Sequence, residues 1–194
     1  SADSTGTGKR VQAHRHVRFF KSDMQGACDT LIYNAADSLI RMYNAPVLWS
    51  GADQISGDHI RIQLREGKAH RLFVLKNAFL MSVADSVHFD QVTGTTMTGF
   101  FADNALRRII AEGNSRTVYF ARETKEGKES IIGVNRADCS RIEVTLVEGK
   151  VNTVSFLERP DAVLYPLDKA PPEELHMQGA NWRGNERPVD RTAI

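Results

Sequence analysis

The sequence predicts an all-β protein, a solenoid of stacked strand pairs, and three observations carry that reading. The first is a period of two. Ile60, Ile62 and Leu64 alternate with His59, Arg61, Gln63 and Arg65, and Ile142, Val144 and Leu146 alternate with Arg141, Glu143 and Thr145. Side chains of a strand point to opposite faces in turn, so these segments are half-buried strands. The second is repetition. A Gly-opened strand, a turn and a second strand ending in an Asn-containing break recur from Met24, Ile55, Met97 and Ile132, with Gly26, Gly57, Gly99 and Gly133 as the opening glycines. One strand pair cannot bury its apolar face alone, whereas stacked pairs at about 4.8 Å pool their inward residues into one core. The third is the punctuation. Asn34-Ala35-Ala36-Asp37, Arg65-Glu66-Gly67-Lys68 and Glu148-Gly149-Lys150 are short polar or Gly-containing turns between alternating runs.

Taken along the chain, residues 1–15 are polar and read as a flexible arm, and 16–166 hold the folded body. The segment 103–112 (DNALRRIIAE) has a composition compatible with a short helix, but its neighbours favour a strand. Residues 167–194, with Pro171, Pro172 and Pro188, read as a tail. That tail is expected to cap the last rung, with Leu175 and Trp182 pinning it, because an uncovered edge strand recruits other chains. Cys28 and Cys139 open the corresponding phrases CDTLIY and CSRIEV. Three rungs apart, they would lie about 14 Å from each other, too far for a disulfide, and two free thiols are expected.

Composition narrows the function. At 194 residues and 41% hydrophobic content the chain can bury a sizeable core, and no apolar run approaches the ~20 residues of a membrane-spanning helix. The 25 Lys and Arg against 24 Asp and Glu leave a formal charge of +1, which argues against a general nucleic-acid partner. Neither a cofactor motif nor a metal set stands out. The 5–9 stretch (TGTGK) lacks the spacing of a phosphate loop, and His14 and His16 have no third ligand nearby in sequence. Asp29, Asp58, Asp103 and Asp138 follow the unit-opening glycines and could form a row, but recurrence in every unit suits turn closure better than catalysis. No catalytic residue is assigned, and the chain is read as not an enzyme.

At its repeats the sequence resembles a known family. The phrases are GACDTLIYNAADSLIRMYNAPVLW, QISGDHIRI, GTTMTGFF, EGNSRTVYF, GVNRADCS and the closing Trp182 to Pro188. They are similar to the OstA-like proteins of Bacteroidetes-type bacteria, relatives of the lipopolysaccharide-transport protein LptA and of the N-terminal domain of LptD. The resemblance implies a β-jellyroll or "taco" solenoid, with two facing sheets in a V whose apolar interior shields lipid acyl chains. It implies a place in the periplasm, a role in outer-membrane assembly, and lipopolysaccharide or lipid A as ligand. It also implies other jellyrolls as partners through edge strands, with self-association as a further possibility.

The candidate lipid-facing residues are the apolar ones expected to point inward: Leu31, Tyr33, Ile40, Met42, Val47, Trp49, Ile60, Ile62, Leu64, Leu72, Val74, Leu80, Val118, Phe120, Ile142, Val144, Leu146, Val154 and Phe156. If the sheets splay they line a groove that buries an acyl chain at about 0.8 kcal/mol per CH₂; if the sheets close they are a sealed core and the chain is an envelope interaction scaffold. Arg61, Arg65, Lys68, Arg71, Arg107 and Arg108 could meet phosphates at a groove rim, but a solvated outer face is the commoner use of such residues.

Overall fold

The computed structural model describes residues 9–193. Twelve strands form one antiparallel sheet: β1 (Arg10–Lys21), β2 (Met24–Asn34), β3 (Leu39–Tyr43), β4 (Val47–Ser50), β5 (Asp53–Ser56), β6 (His59–Arg65), β7 (Lys68–Val83), β8 (Phe89–Ala102), β9 (Ala105–Lys125), β10 (Lys128–Val147), β11 (Lys150–Leu157) and β12 (Asp161–Pro166). The segment 103–112 is part of the β8–β9 hairpin, as its neighbours indicated. Strand β1 begins at Arg10, so 10–15 is not the loose arm the polar composition suggested. Its alternate residues are simply solvent-facing on an edge strand that, among the described residues, pairs with β2 alone. The remainder of the expected arm, 1–8, which includes most of TGTGK, lies outside the described residues.

The sheet is folded lengthwise into two leaves. The chain crosses the fold line in β1, between β3 and β4, and in β7 and β9, and crosses once more between β11 and β12. It returns through β2, between β5 and β6, and through β8 and β10. On each of the five forward crossings two consecutive residues have positive φ: Arg15 and His16, Asn44 and Ala45, Lys76 and Asn77, Gly113 and Asn114, Glu158 and Arg159. The register shows why. Residues 15 and 16 stand opposite Asp29 alone, 76 and 77 opposite Thr95, and 113 and 114 opposite Ser140. Two residues against one make a bulge that bends the strand. Asn tolerates the left-handed region best among non-glycine residues, which explains the Asn-containing breaks of the sequence. Backbone bonds hold the corners together, with Asp29 N–H donating to Asn44 O (3.2 Å) and Asp58 N–H to Lys76 O (3.1 Å).

One leaf holds β3, β6, β11 and the halves of the long strands beside them; the other holds β4, β5, β12 and the remaining halves. The apolar core lies between the leaves, where Met42, Ile60, Ile62, Leu72, Val74, Leu80, Ile142 and Val144 are at most 1% exposed. After β12 the chain makes 3-10 turns at Leu167–Lys169, Pro172–Glu174, Gly184–Glu186 and Arg191–Ala193. It does not stop at the last rung as a cap. It runs as a strap across the outer face of the second leaf, from β10, past β8 and β5, to β2 and β1. We call this the covered leaf and the first the bare leaf. Among the described residues no helix is long and apolar enough to cross a membrane.

Candidate functional site

Cross-strand pairing arranges the inward side chains of the bare leaf in transverse rows. One row runs Leu31, Met42, Ile60, Val74, Met97, Ala111, Ile142, Phe156, each the direct partner of the next. The row beside it runs Tyr33, Ile40, Ile62, Leu72, Gly99, Ile109, Val144, Val154. Leu64 and Leu146 belong to a third, nearer the open margin of the V. Seven strand steps give the first row a length of roughly 34 Å. The covered leaf faces these rows with Phe19, Gly26, Leu48, Ile55, Leu80 and Val92, again successive partners. Leu31, Ile40, Leu64, Val154 and Phe156 are half-buried against the core, so the rows are sealed in the middle and partly open at their ends.

Four of the sequence candidates point the other way. Val47 and Trp49 flank inward Leu48 on β4 and form a separate cluster with Ala27, while Val118 and Phe120 pack with Val134 and Met177 under the strap. They are fully buried, but on the outer face of the covered leaf, and the expectation that they point into the V is corrected. The reason is the strap itself. It buries both faces of this leaf, so burial and hydrophobicity no longer distinguish inside from outside.

The outer face also holds three residues that sequence reasoning missed. Gln25, Gln54 and Gln91 belong to one row with Trp49, Met81 and Val118, and are at most 3% exposed. Gln91 Nε2 donates to Leu175 O at 3.0 Å and its Oε1 accepts from Met177 N–H at 2.8 Å. Gln54 Nε2 donates to Asn181 O at 2.8 Å and its Oε1 accepts from Arg183 N–H at 2.6 Å. Gln25 Oε1 accepts from Arg187 Nε at 2.8 Å. Phe89 and Trp182 add a ring contact with centroids 5.0 Å apart. The only hints of this arrangement in the sequence are Leu175 and Trp182 in an otherwise polar tail.

At the open margin of the V the two leaves touch. The turn between β4 and β5 meets the turn between β10 and β11, and Ala52 N–H donates to Gly149 O at 3.0 Å. Gly51 and Gly149 both have positive φ, and a Cβ on Gly51 would stand 2.7 Å from the Gly149 Cα. Beside this turn Asp53 is 1% exposed, and burial pushes its carboxyl up to about 7.

Arg61 lies on the outer face of the bare leaf, opposite in direction to Ile60 and Ile62. Arg71 and Arg108 sit over the Phe100 ring, and Arg108 pairs with Glu143 at 2.9 Å. These residues face solvent rather than the interior. Asp29 and Asp58 sit at the fold line, Asp103 in the β8–β9 turn and Asp138 on β10 opposite Asp161, so the four do not converge. His14 meets Thr30, and among the described residues no group of three or more His, Cys, Asp or Glu is placed to hold a metal. Cys28 and Cys139 are free and buried. Their phrases do align, since Leu31 and Ile142 share one row and Tyr33 and Val144 the next. Each sequence unit adds two strands per leaf, however, so the thiols are six strand steps apart, roughly 29 Å along the sheet.

A single antiparallel sheet folded along bulged corners around one apolar interior defines a β-jellyroll of the LptA type. The model of the family described as LptA/(LptD N-terminal domain) LPS transport protein matches residues 2–68. Among solved structures, that of LptH, described as the LptA homologous periplasmic component of the conserved lipopolysaccharide transport device from Pseudomonas aeruginosa, superposes with a TM-score of 0.54. The identity is 14%, over 74% of this chain and 95% of that one. No curated protein matches. The fold is of the LptA type, as the resemblance of its sequence phrases implied.

Proposed function

We propose that this chain is a non-catalytic module of lipopolysaccharide transport in the periplasm, whose interior receives lipid A acyl chains when the leaves part. The observation that carries the reading is the pair of apolar rows that run unbroken from β2 to β11. Such rows offer a chain of methylenes a continuous dry path, with about 0.8 kcal/mol gained per CH₂ removed from water. The family match and the LptA-type fold support the same reading. Docking to other jellyrolls is supported by the edges: among the described residues β1, β11 and β12 are each paired on one side only, and Val163 (47% exposed) and Leu164 (63%) lie on β12. An edge of this kind accepts an added strand by backbone hydrogen bonds.

A closed scaffold with protein partners alone is the second reading, favoured by the sealed middle of the interior. Native mass spectrometry of the protein with and without lipid A separates the two. A saturable adduct on the monomer is expected. Head-to-tail oligomers that take up no lipid would overturn lipid carriage in favour of the scaffold.

A further inference from the structure

The peptide group joining Gly51 to Ala52 is held at both ends. Its carbonyl accepts a hydrogen bond from Arg187 Nη1 of the strap at 2.8 Å, and its N–H donates to Gly149 O, across the margin of the V, at 3.0 Å. The two bonds share one rigid plane, so fixing the carbonyl fixes the direction of the N–H. A guanidinium on the carbonyl also polarises the amide and strengthens the bond it donates. Arg187 is itself fixed by Gln25, to which its Nε donates at 2.8 Å. Glycines at 51 and 149 permit the approach, and any side chain there would force the turns apart.

We propose that the C-terminal strap is the latch of the interior: through Arg187 and the Gly51–Ala52 peptide it holds the covered leaf against Gly149 of the bare leaf, and lifting the strap releases the margin. The geometry suits a device that opens. The strap is fastened at discrete points, by the Arg136–Glu174 ion pair, by Gln91, Gln54 and Gln25 and by the bond from Arg183 Nη1 to Ala45 O, rather than by a continuous ladder. Between Gln91 and Gln54, residues 178–180 bridge a cleft of about 1110 Å³ above the fold line. Its final segment, beyond Arg183, therefore detaches without unpairing any strand. Whatever draws the strap away at Arg187 also frees the turn that closes the V.

The latch concerns access to the interior, and only its use for acyl chains rests on the proposed transport function. Cys28 and Cys139 lie in the core between the leaves; Cys28 reports opening without any lipid, and Cys139, which also lines a cleft at the fold line, is the internal reference. The test is maleimide labelling of these thiols in the full chain under native conditions, followed by mass spectrometry. Arg187→Ala is expected to label roughly tenfold faster at Cys28 than the unaltered protein, the effect of losing the charge-assisted bond to the Gly51 carbonyl that holds the margin. Arg187→Lys, which keeps the charge but not the fork of donors, is expected to fall between. Gly149→Ala wedges the margin directly and is expected to label fast while Trp182 emission stays unchanged, the strap being still in place. Fast labelling of Gly149→Ala with unaltered rates in both arginine variants would overturn the latch, and unaltered rates in all three would show that this contact does not govern access. Lipid A is then added to Arg187→Ala: accelerated labelling without lipid uptake leaves the latch standing and removes the transport reading.

Discussion

Gln54 and Gln91 stand in one transverse row with Met81 alone between them, and each grips the strap in the same way. Each side-chain nitrogen donates to a carbonyl, of Asn181 or Leu175, and each oxygen accepts the N–H two residues further on, of Arg183 or Met177. A residue of a parallel strand bonds its neighbour with the same spacing. The glutamine amide thus substitutes for a missing strand and lets a segment running across the sheet satisfy its backbone.

Removing one such amide strands two buried backbone groups. Gln91→Leu is expected to cost about 1–3 kcal/mol per unpaired group and to raise amide exchange at Met177 while leaving Arg183 protected. Gln54→Leu is expected to do the reverse. Hydrogen-exchange mass spectrometry of the two variants reads this directly, and equal loosening of the whole strap in both would show that the fastenings are not separate.

Asp53 makes stability depend on pH. Burial outweighs the Ser82 hydroxyl and the Arg187 charge nearby and raises the acid from its ordinary 3.8 to about 7. Between those values the folded protein holds a proton that the unfolded chain releases. Stability therefore falls as pH rises from about 4 to 7, by up to about 1.4 kcal/mol per pH unit from this group, and levels off above. Asp53→Asn is expected to flatten the profile and to raise Tm at pH 8. Denaturant titrations at pH 4.5, 6 and 8 check it.

Burial raises the carboxyl of Asp90 as well, but unlike Asp53 it is paired. It is 3% exposed, accepts from Arg122 at 2.6 Å and caps Phe120 N–H at 2.8 Å. Arg122→Ala leaves a buried carboxylate uncompensated and is expected to cost about 3–5 kcal/mol. Asp90→Asn retains an acceptor for Phe120 and is expected to cost less. Calorimetry ranks the two, and the opposite order would contradict the pairing.

Tryptophan emission is expected to follow the strap and not the interior. Trp49 is buried on the outer face and Trp182 belongs to the strap against Phe89. Added lipid A is expected to leave the emission maximum in place where the strap stays down, whereas Gln54→Leu, which frees Asn181 and Arg183 on either side of Trp182, shifts it to the red. A lipid-dependent blue shift in the unaltered protein would place lipid on the outer face instead.

These particulars also show what could be read in advance. Ile60, Ile62 and Leu64, like Ile142, Val144 and Leu146, sit on the leaf whose outer face is bare. There alternation is clean, and their direction was legible. Val47, Leu48 and Trp49 are consecutive and all buried. On a leaf covered on both sides period two carries no polarity, so nothing local in the sequence tells that Trp49 faces outward. Gln25, Gln54 and Gln91 look like solvent-facing strand residues until a segment more than 80 residues away in sequence arrives to bond them. The strap itself has no periodicity because it runs across the strands and meets β8, β5 and β2 in turn.

The bulged corners carry a further consequence, for how this architecture varies in length. Left-handed pairs occur on forward crossings and single residues face them on the return, so the smallest insertion that preserves both is one forward and one return crossing together. A lone added crossing would set bulge against bulge and invert every later strand. Evolutionary growth in this scaffold is therefore quantised in out-and-back pairs, and a relative that differs by one unit is expected to keep the same hand at each end.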